Sequence, residues 1–224
     1  MCGRFVNTTN INKIKKIFEI KEPLNSNEDI ISYNIAPTQD VNIILNHATL
    51  NIEVVNWGTQ FINKTNNHTV TVINSRLETV NEKILFKESF LKKRCLIPAN
   101  GYYEWHVSNG IKTPYFIQLS SLETIYFAGL WKFSDFAHSS KKTFTIMTKK
   151  ANDLIKNIHE RMPIILNINE AINYMDHEKN FMKKNFVSSI EKDLDFFPVS
   201  KFVNSTNNNS IECIRSLNLN SNDQ

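Results

Sequence analysis

Residues 94–119 read RCLIPANGYYEWHVSNGIKTPYFIQL and contain the strongest strand signals in the chain. Three short runs here are rich in aromatic and β-branched residues, the residue types that β-strands favour. Ser108-Asn109-Gly110 separates the second run from the third, and an Asn-Gly pair in this position is typical of a tight hairpin turn. The sequence therefore predicts antiparallel strands at Cys95–Ile97, Tyr102–Val107 and Tyr115–Leu119.

Strand signals continue on both sides of this stretch. Further strands are predicted at Val41–Leu45, Ile52–Trp57, Val70–Ile73, Ile125–Trp131, Thr143–Thr148, Pro163–Leu166 and Phe196–Val203. Asn34–Pro37 is predicted to be a loop. Because neighbouring runs are short and closely spaced, we expect a mostly antiparallel sheet with a barrel-like core.

Apolar residues at helical spacing predict three helices that flank this core, at Asn10–Ile20, Glu78–Lys93 and Asn169–Asn185. In the second helix the predicted inward side chains are those of Val80, Ile84, Leu85 and Leu91. In the third they are those of Ile172, Met175, Phe181 and Met182. The prediction is a single α+β domain over residues 1–205, followed by a flexible Asn/Ser-rich tail at 206–224.

Length and composition fit one globular domain and exclude several classes of protein. The chain has 224 residues, is 41% hydrophobic and carries a net charge of +4, which permits a polyanionic partner without requiring one. Cys2, Cys95 and Cys213 are too few and too scattered for a disulfide scaffold, and their odd number fits a reducing compartment. No apolar run approaches the roughly 20 residues of a membrane span. The first twenty residues contain no signal-peptide core, so we expect neither secretion nor membrane insertion.

Rare residue types gather in a few blocks of this Asn-, Ile- and Lys-rich chain. Arginine occurs only at positions 4, 76, 94, 161 and 215, and tryptophan only at 57, 105 and 131. Where lysine is abundant, an arginine indicates a need for its planar, forked set of donors. Single residues of these rare types occur in any protein for ordinary turns and ion pairs, but their clustering in a few blocks indicates function.

Cys2 is the most informative single residue. Loss of Met1 would make it the amino terminus, with an α-amine of pKa about 8 and a thiol of pKa about 8.5 on one carbon skeleton. Such a 1,2-aminothiol condenses with an aldehyde to an imine, which the thiol then closes to a thiazolidine ring. Taken alone, Cys2 is better explained as a small residue that happens to follow Met1.

Three further side chains could take part in chemistry. Glu104 lies between aromatic residues in Tyr102–Trp105, where desolvation would raise its pKa and equip it as a general acid or base; an exposed edge position is the alternative. His159 precedes an apolar strand and could carry protons, although most lone histidines are structural. Asn74 could offer its amide to an oxyanion or hydroxyl, and the Arg76 side chain would point to the same face if the strand continues.

The histidines and cysteines form no metal-binding motif, and no P-loop or dinucleotide fingerprint occurs, so we expect neither a metal nor a nucleotide cofactor.

Taken together, the blocks resemble the SOS-response-associated peptidase family, the abasic-site-processing proteins that protect single-stranded DNA. They occur in the family's order and span residues 1 to about 205. The matching stretches are Met1–Phe5, Tyr33–Thr38, Trp57-Gly58, Ile73–Thr79, Arg94–Trp105, Phe127–Trp131, Thr145–Thr148, His159–Leu166 and Pro198–Ser200.

The resemblance implies a role for each of four side chains. Cys2 would attack the ring-opened aldehyde of an abasic deoxyribose and end as a thiazolidine cross-link to DNA. Asn74 would hold the sugar hydroxyl or the cysteine backbone. Glu104 would move protons at the α-amine and assist reversal of the cross-link. His159 would help to open the sugar ring and act on the imine, and weak strand cleavage by β-elimination is expected as a side reaction.

The resemblance also implies a single-stranded DNA partner that carries abasic sites, bound by a monomer without a cofactor. The expected place of action is the cytoplasm, with the nucleoid in a bacterium, or the nucleus in a eukaryote. The expected DNA-contacting residues are Arg4, Pro37, Arg76, Trp105, Thr148 and Arg161.

The chain departs from the family pattern at three places. After Trp57-Gly58 the family has a segment with Pro and Trp, whereas this chain has Thr59–Lys64, so one stacking surface is lost or reduced to Phe61. Ser75 replaces the usual Ala, and Asn100 stands where Asp is typical. None of these changes touches the four proposed catalytic side chains.

Other functions remain open on the sequence. Cys-Gly after Met1 also begins amidohydrolases that use an N-terminal cysteine, but the blocks around Glu104 and His159 have no place in them. A cysteine peptidase that uses Cys2, Glu104 and His159, for instance one limited to self-processing, is a related alternative. A third is a single-stranded-DNA binding module in which Cys2 is incidental.

Overall fold

The structure is a computed structural model that describes residues 2–21, 29–47, 49–63, 65–133, 141–178 and 182–217. Within these ranges three α-helices occur, α1 Ile11–Ile17, α2 Ile84–Lys92 and α3 Ile168–Met175. The strands are β1 Phe5–Asn7, β2 Ser32–Ile35, β3 Asp40–His47, β4 Thr49–Trp57, β5 Thr59–Asn63, β6 His68–Val72, β7 Asn74–Arg76, β8 Arg94–Ala99, β9 Gly101–Ser108, β10 Ile111–Leu119, β11 Ile125–Phe133, β12 Lys142–Lys150, β13 Arg161–Pro163, β14 Ile165–Leu166 and β15 Leu194–Pro198. None of the helices in the described ranges has the length and apolar character needed to cross a bilayer.

The strands form two main sheets and one separate hairpin. The five-stranded sheet has the order β15-β10-β9-β1-β2 and is antiparallel throughout. The larger sheet follows β13-β12-β4-β3-β8-β11-β14, and β11 also pairs with β12, so the path β12-β4-β3-β8-β11 closes on itself. Parallel pairs occur where β4 and β7 meet β12. The prediction of a single, mostly antiparallel α+β domain with a barrel-like core is confirmed.

The β9–β10 hairpin forms as the central sequence predicts. Asn109 and Gly110 both have positive φ, at 50° and 77°, the backbone geometry that matches the twist of paired strands. Ser108 pairs with Ile111, and the register continues to Ile117 opposite Tyr102. This register fixes which side chains of the two strands share a face.

A hydrophobic core fills the space between the barrel and the five-stranded sheet. Phe5 of β1 packs edge-on against Trp57, with ring centroids 5.2 Å apart, and against Phe127 at 5.7 Å. Cys2 and Tyr102 belong to the same buried cluster. The amino-terminal segment is therefore held in the interior, at the junction of the two sheets.

The second helix begins six residues later than predicted. Residues 79–82 form turns, because Leu77 donates its N–H to Thr148 and Thr79 bonds back to Arg76. The helix that follows is exposed where burial was expected, with Ile84 97% and Leu91 52% exposed. Val80 alone of the predicted inward set is fully buried.

The third helix is shorter than predicted and ends at Met175. Met175 and Met182 are buried as expected, but Ile172 is 47% exposed because the helix lies at a different rotation on the barrel. Phe181 lies outside the described residues. An Asn167 cap begins the helix, since its side chain accepts from the N–H of Glu170 while the Glu170 carboxylate accepts from that of Asn167.

The carboxy-terminal region also differs from the expectation. The last strand is β15, which ends at Pro198, and the segment predicted as strand up to Val203 turns instead into a 3₁₀ helix. Residues 206–217 pack on the five-stranded sheet, so a flexible tail from 206 is wrong for that part. Cys213 is fully buried there, and the side chain of Asn34 donates to the carbonyls of Ser205 and Asn208. Residues 218–224 lie outside the described ranges.

The predicted loop at 34–37 is partly strand, because β2 continues to Ile35. A turn follows, in which Thr38 has a φ of 71°. The interior of the barrel has no spare room at Gly129, where an added Cβ would lie 2.3 Å from Ile97 Cδ1 and 2.8 Å from Cys95 Sγ.

We expect Gly129→Ala to lower the free energy of unfolding by about 1–3 kcal/mol, because the barrel must shift to admit the methyl group. Urea denaturation measures this, with Ile84→Ala as the control, since Ile84 is 97% exposed. The control should change stability by less than about 0.5 kcal/mol. Equal stabilities of Gly129→Ala and the parent chain would contradict the packing described here.

Candidate active site

The four predicted catalytic residues are Cys2, Asn74, Glu104 and His159, and direct contacts link them in pairs. Cys2 precedes β1 and is fully buried. Asn74 begins β7 and donates its side-chain N–H to the carbonyl oxygen of Cys2, at 2.9 Å. The Oδ1 atom of Asn74 is buried and has no hydrogen-bond partner among the described residues, so it remains available as an acceptor.

Glu104 lies on β9, on the face that it shares with Tyr102, and is only 2% exposed. Burial raises the pKa of its carboxyl group, and the nearby His159 opposes that rise only in part. Glu104 therefore occupies the desolvated position among aromatic residues, and not the exposed edge position that the sequence also allowed. A carboxyl group whose pKa moves toward neutrality can both donate and accept a proton under physiological conditions.

His159 faces Glu104, with 4.0 Å between His159 Nε2 and Glu104 Oε2. The other ring nitrogen, Nδ1, accepts the backbone N–H of Arg161 at 3.0 Å. The carbonyl oxygen of Arg161 lies 3.2 Å from the same nitrogen. The N–H contact needs the ring proton on Nε2 and the carbonyl contact needs it on Nδ1, so either neutral tautomer has a backbone partner.

The thiol of Cys2 is protonated at neutral pH in this environment. Burial raises its pKa well above the usual range, and the negative charge of Glu104 raises it further. A thiol in such surroundings is a poor first nucleophile, because the thiolate is the reactive form.

Arg161 holds the segment that carries His159 against β12. Its guanidinium forms a two-pronged ion pair with Glu78, at 2.9 Å and 3.0 Å, and donates to the carbonyl oxygen of Thr148 at 2.8 Å. Partial burial opposes ionisation of Glu78, yet the bond to Arg161 lowers the pKa of Glu78 overall. Arg161 is only 8% exposed and points at protein groups in this structure.

Thr148 does not fit its predicted role. The side chain is completely buried and accepts from Arg161, at 3.2 Å. A side chain without exposed surface offers nothing for DNA to contact, so we do not retain Thr148 as a DNA-contacting residue. Its place in the structure is that of an internal support for Arg161.

Arg4 and Trp105 lie together on the opposite face of the five-stranded sheet from Glu104. Arg4 Nη1 donates to Asn34 Oδ1 at 2.7 Å and to the carbonyl of Val203 at 2.9 Å. Its guanidinium carbon is 5.9 Å from the centre of the Trp105 ring, and the indole N–H donates to Asn204 at 2.8 Å. Both side chains are partly exposed, so they combine a structural role with some accessible surface.

Arg76 is the exposed arginine of the predicted set. It ends β7, two residues after Asn74, and no carboxylate of the described residues forms an ion pair with it. Pro37 is partly exposed at the turn after β2. These two residues have the accessibility that a contact with DNA requires.

The segment that departs from the family pattern forms its own structure. Thr59–Asn63 is strand β5, which pairs with β6, and Phe61 is partly exposed on this hairpin. Asn100 accepts from the backbone N–H and the hydroxyl of Thr8, at 2.7 Å and 3.1 Å. Its amide oxygen thus makes contacts that one oxygen of an aspartate could also make.

Sequence reasoning missed two residues that build the site. Asn34 joins Arg4 to the carboxy-terminal segment, and Glu78 fixes Arg161. Both occur in the quoted blocks, but a partly buried ion pair between residues 83 positions apart leaves no local pattern in the sequence. Within the part of the chain that the structure describes, no group of three or more His, Cys, Asp and Glu residues could hold a metal ion.

Comparison with known proteins places this geometry in a family. The family model described as SOS response associated peptidase (SRAP) matches residues 1–206. The chain belongs to the SRAP family. The SRAP match includes Cys2, Asn74, Glu104 and His159, and it confirms the family resemblance of the sequence blocks.

Several SRAP relatives carry a name that states a substrate. The abasic site processing protein YoqW of Bacillus subtilis is 35% identical over 223 residues, covering 96% of this chain and 100% of YoqW. The abasic site processing protein HMCES of Xenopus tropicalis is 30% identical over 169 residues, covering 64% of this chain and 50% of HMCES. The crystal structure of a Bacteroides thetaiotaomicron protein superimposes with a TM-score of 0.74 at 21% identity, over 96% of this chain and 99% of that one, and shows the same fold.

We expect Glu104→Gln to raise the melting temperature at neutral pH, because it removes a carboxylate that burial disfavours. A folded-state pKa above the unfolded value means that wild-type stability falls as pH rises from about 4.3 toward that higher value. The difference between the two proteins should therefore be small in acid and grow toward neutrality. Thermal melts across that range measure it, with the exposed Glu123→Gln as the control. A Glu104→Gln protein that is less stable than wild type at neutral pH would contradict the assignment.

Proposed function

We propose that this SRAP protein captures abasic sites in single-stranded DNA through a covalent bond to Cys2 after removal of Met1. One observation carries the proposal. Cys2 lies buried with its backbone held by Asn74, while the charge of Glu104 reaches its thiol and His159 faces Glu104. The names of the SRAP relatives supply the substrate class.

The chemistry begins at the α-amine. The open-chain form of an abasic deoxyribose has an aldehyde at C1′, and the amine of Cys2 adds to it to give a carbinolamine. Loss of water gives an imine, and addition of the Cys2 sulfur to the imine carbon closes the thiazolidine ring. The thiol proton moves to nitrogen in that step, so the net reaction joins aldehyde and aminothiol with release of one water.

The order amine first, sulfur second follows from the electrostatics. Burial raises the pKa of the Cys2 thiol, so sulfur attacks only after a strongly electrophilic imine has formed beside it. Protonation of the imine nitrogen before ring closure gives it a positive charge, which the carboxylate of Glu104 would stabilise. The proton that the thiol loses on ring closure replaces the one taken up. Asn74 positions Cys2 by donating to its backbone carbonyl oxygen. The Oδ1 atom of Asn74 can accept a hydrogen bond from a sugar hydroxyl.

Glu104 and His159 supply the proton transfers. Glu104 accepts a proton from the attacking amine and returns one to the departing hydroxyl. His159 faces Glu104 and assists opening of the sugar ring. The same groups run the reaction backward, which accounts for reversal of the cross-link.

Strand cleavage is a competing outcome of the same imine. Loss of a proton from C2′ expels the 3′ phosphate and breaks the strand, so a weak lyase activity accompanies slow ring closure. Such activity takes place wherever the cell keeps its DNA, which is the cytoplasm of a bacterium or the nucleus of a eukaryote. We propose a monomer, since each chain supplies all four catalytic side chains.

The peptidase alternative has less support from the geometry. A cysteine peptidase lowers the pKa of its thiol with a neighbouring imidazole. Here burial and Glu104 raise the pKa of the Cys2 thiol, and His159 Nε2 lies 4.0 Å from Glu104 Oε2. An amidohydrolase that uses the thiol as its nucleophile would need the same lowered pKa.

We expect Cys2→Ala to abolish the stable cross-link, because it removes the sulfur that closes the ring. The measurement is a denaturing gel of purified protein incubated with an oligonucleotide that carries one abasic site. A chain extended at its amino terminus should also fail, since it lacks the primary amine on Cys2. Glu104→Ala and His159→Ala should slow the reaction while the protein stays folded, as thermal melts would show. A heat-stable band with Cys2→Ala would contradict the proposal, because another nucleophile would then form the covalent bond.

We expect Arg76→Ala to weaken DNA binding and to reduce the slope of log Kobs against log salt concentration by about 0.7, the value for one contact to a single-strand phosphate. Arg215→Ala is a matched control, because it removes the same charge from an exposed arginine that pairs with Glu212. Fluorescence anisotropy at several salt concentrations measures both. If the slope is the same for wild type and Arg76→Ala, then Arg76 does not contact phosphate.

A further inference from the structure

A row of aromatic rings crosses the face of the five-stranded sheet that carries Glu104. His106 lies on β9, Tyr115 on β10 and Phe196 on β15. The His106 and Tyr115 rings are 6.2 Å apart with an interplanar angle of 88°, and the Tyr115 and Phe196 rings are 6.3 Å apart at 58°. We call these three residues the ring row.

The ring row is accessible, unlike the aromatic residues on the other face of the same strands. Phe196 is 37% exposed, and His106 and Tyr115 are partly exposed. Tyr103 and Phe116 lie on the opposite face, where the carboxy-terminal segment covers them almost completely. The ring row therefore keeps aromatic surface free to receive a planar group.

The ring row is continuous with the candidate active site. Tyr115 is the direct cross-strand neighbour of Glu104, and His106 follows Glu104 by two positions on the same face. Directly opposed residues on antiparallel strands have Cβ atoms about 4.5–5.5 Å apart. A DNA strand whose abasic sugar reaches Cys2 and Glu104 would therefore bring its neighbouring nucleotide within reach of the Tyr115 ring.

We propose that the ring row stacks the unpaired base next to the abasic nucleotide, an inference that rests on the proposed function. A base beside an abasic site has lost its stacking neighbour, so an aromatic side chain can take the vacant place. Aromatic rings on a sheet face bind bases of any sequence in this way, because every base has a flat π surface. The ring row would thus direct the strand toward Cys2 without reading its sequence.

The test combines removal of the ring with removal of the base. The DNA probe is a single-stranded oligonucleotide with one tetrahydrofuran, an abasic analogue that lacks the aldehyde and so reports binding without cross-linking. A second version replaces one flanking base, first on the 5′ side and then on the 3′ side, with another tetrahydrofuran. Affinity for each probe is measured with wild type, Tyr115→Leu and Phe196→Leu.

We expect Tyr115→Leu to weaken binding about tenfold when the flanking base is present on one of the two sides, a loss within the range for one base–aromatic stack. The loss should vanish when that base is absent, because there is then nothing to stack. Tyr115→Phe keeps the ring and should bind like wild type. Phe196→Leu, at the exposed end of the row, should show the same dependence with a smaller loss. Phe133→Leu is the matched control, since Phe133 is 39% exposed but lies on β11 of the other sheet.

A loss with Tyr115→Leu that is equal for probes with and without the flanking base would overturn the inference, since the ring would then only support the protein. Unchanged affinity in both Tyr115→Leu and Phe196→Leu would overturn it as well. The failure of the proposed function itself looks different. In that case wild-type protein would not cross-link an oligonucleotide with a true abasic site, whatever the ring row does.

Discussion

The central constraint on the structure is a carboxylate that is almost completely shielded from solvent beside a buried cysteine. Glu104 is 2% exposed and Cys2 is fully buried, although water would stabilise the ionised form of either group. Burial raises the pKa of both groups. The carboxyl group can therefore exchange a proton closer to neutral pH, whereas the thiol stays protonated. This environment exists because β1 is inserted between β2 and β9, so the beginning of the chain is fixed at the junction of the two sheets.

The remaining site residues serve that arrangement from other parts of the chain. The parallel pairing of β7 with β12 brings Asn74 to the backbone of Cys2. Arg161 anchors the turn that carries His159, through Glu78 and Thr148. The ion pair is largely sheltered from solvent on the arginine side, so loss of one partner would leave the other charge poorly compensated. The position of His159 and the stability of the domain therefore depend on the same contacts.

Local signals in the sequence predicted the local parts of this structure. Asn109-Gly110 predicted the hairpin, and the alternation around Glu104 predicted that it shares a face with Tyr102, because turn chemistry and pleating depend on adjacent residues. The predicted start of α2 was wrong. The sequence around Glu78 favours a helix, but the Glu78 carboxylate forms an ion pair with Arg161, 83 positions away. The ordered segment at 206–217 was missed for a similar reason. Its Asn-rich composition is typical of mobile tails, yet the side chain of Asn34 donates to the carbonyl oxygen of Asn208, and Cys213 is fully buried.

The central claim is that the amine and the sulfur of Cys2 both end in bonds to one sugar carbon. Intact mass spectrometry of the protein after incubation with an abasic oligonucleotide, without any reducing agent, tests it most directly. The account predicts an adduct of the mass of the chain without Met1 plus the oligonucleotide minus one water, with its bond mapped by peptide digestion to residue 2. An adduct that survives only after borohydride reduction would show an imine without ring closure. That result, or a bond at any lysine, would contradict the account.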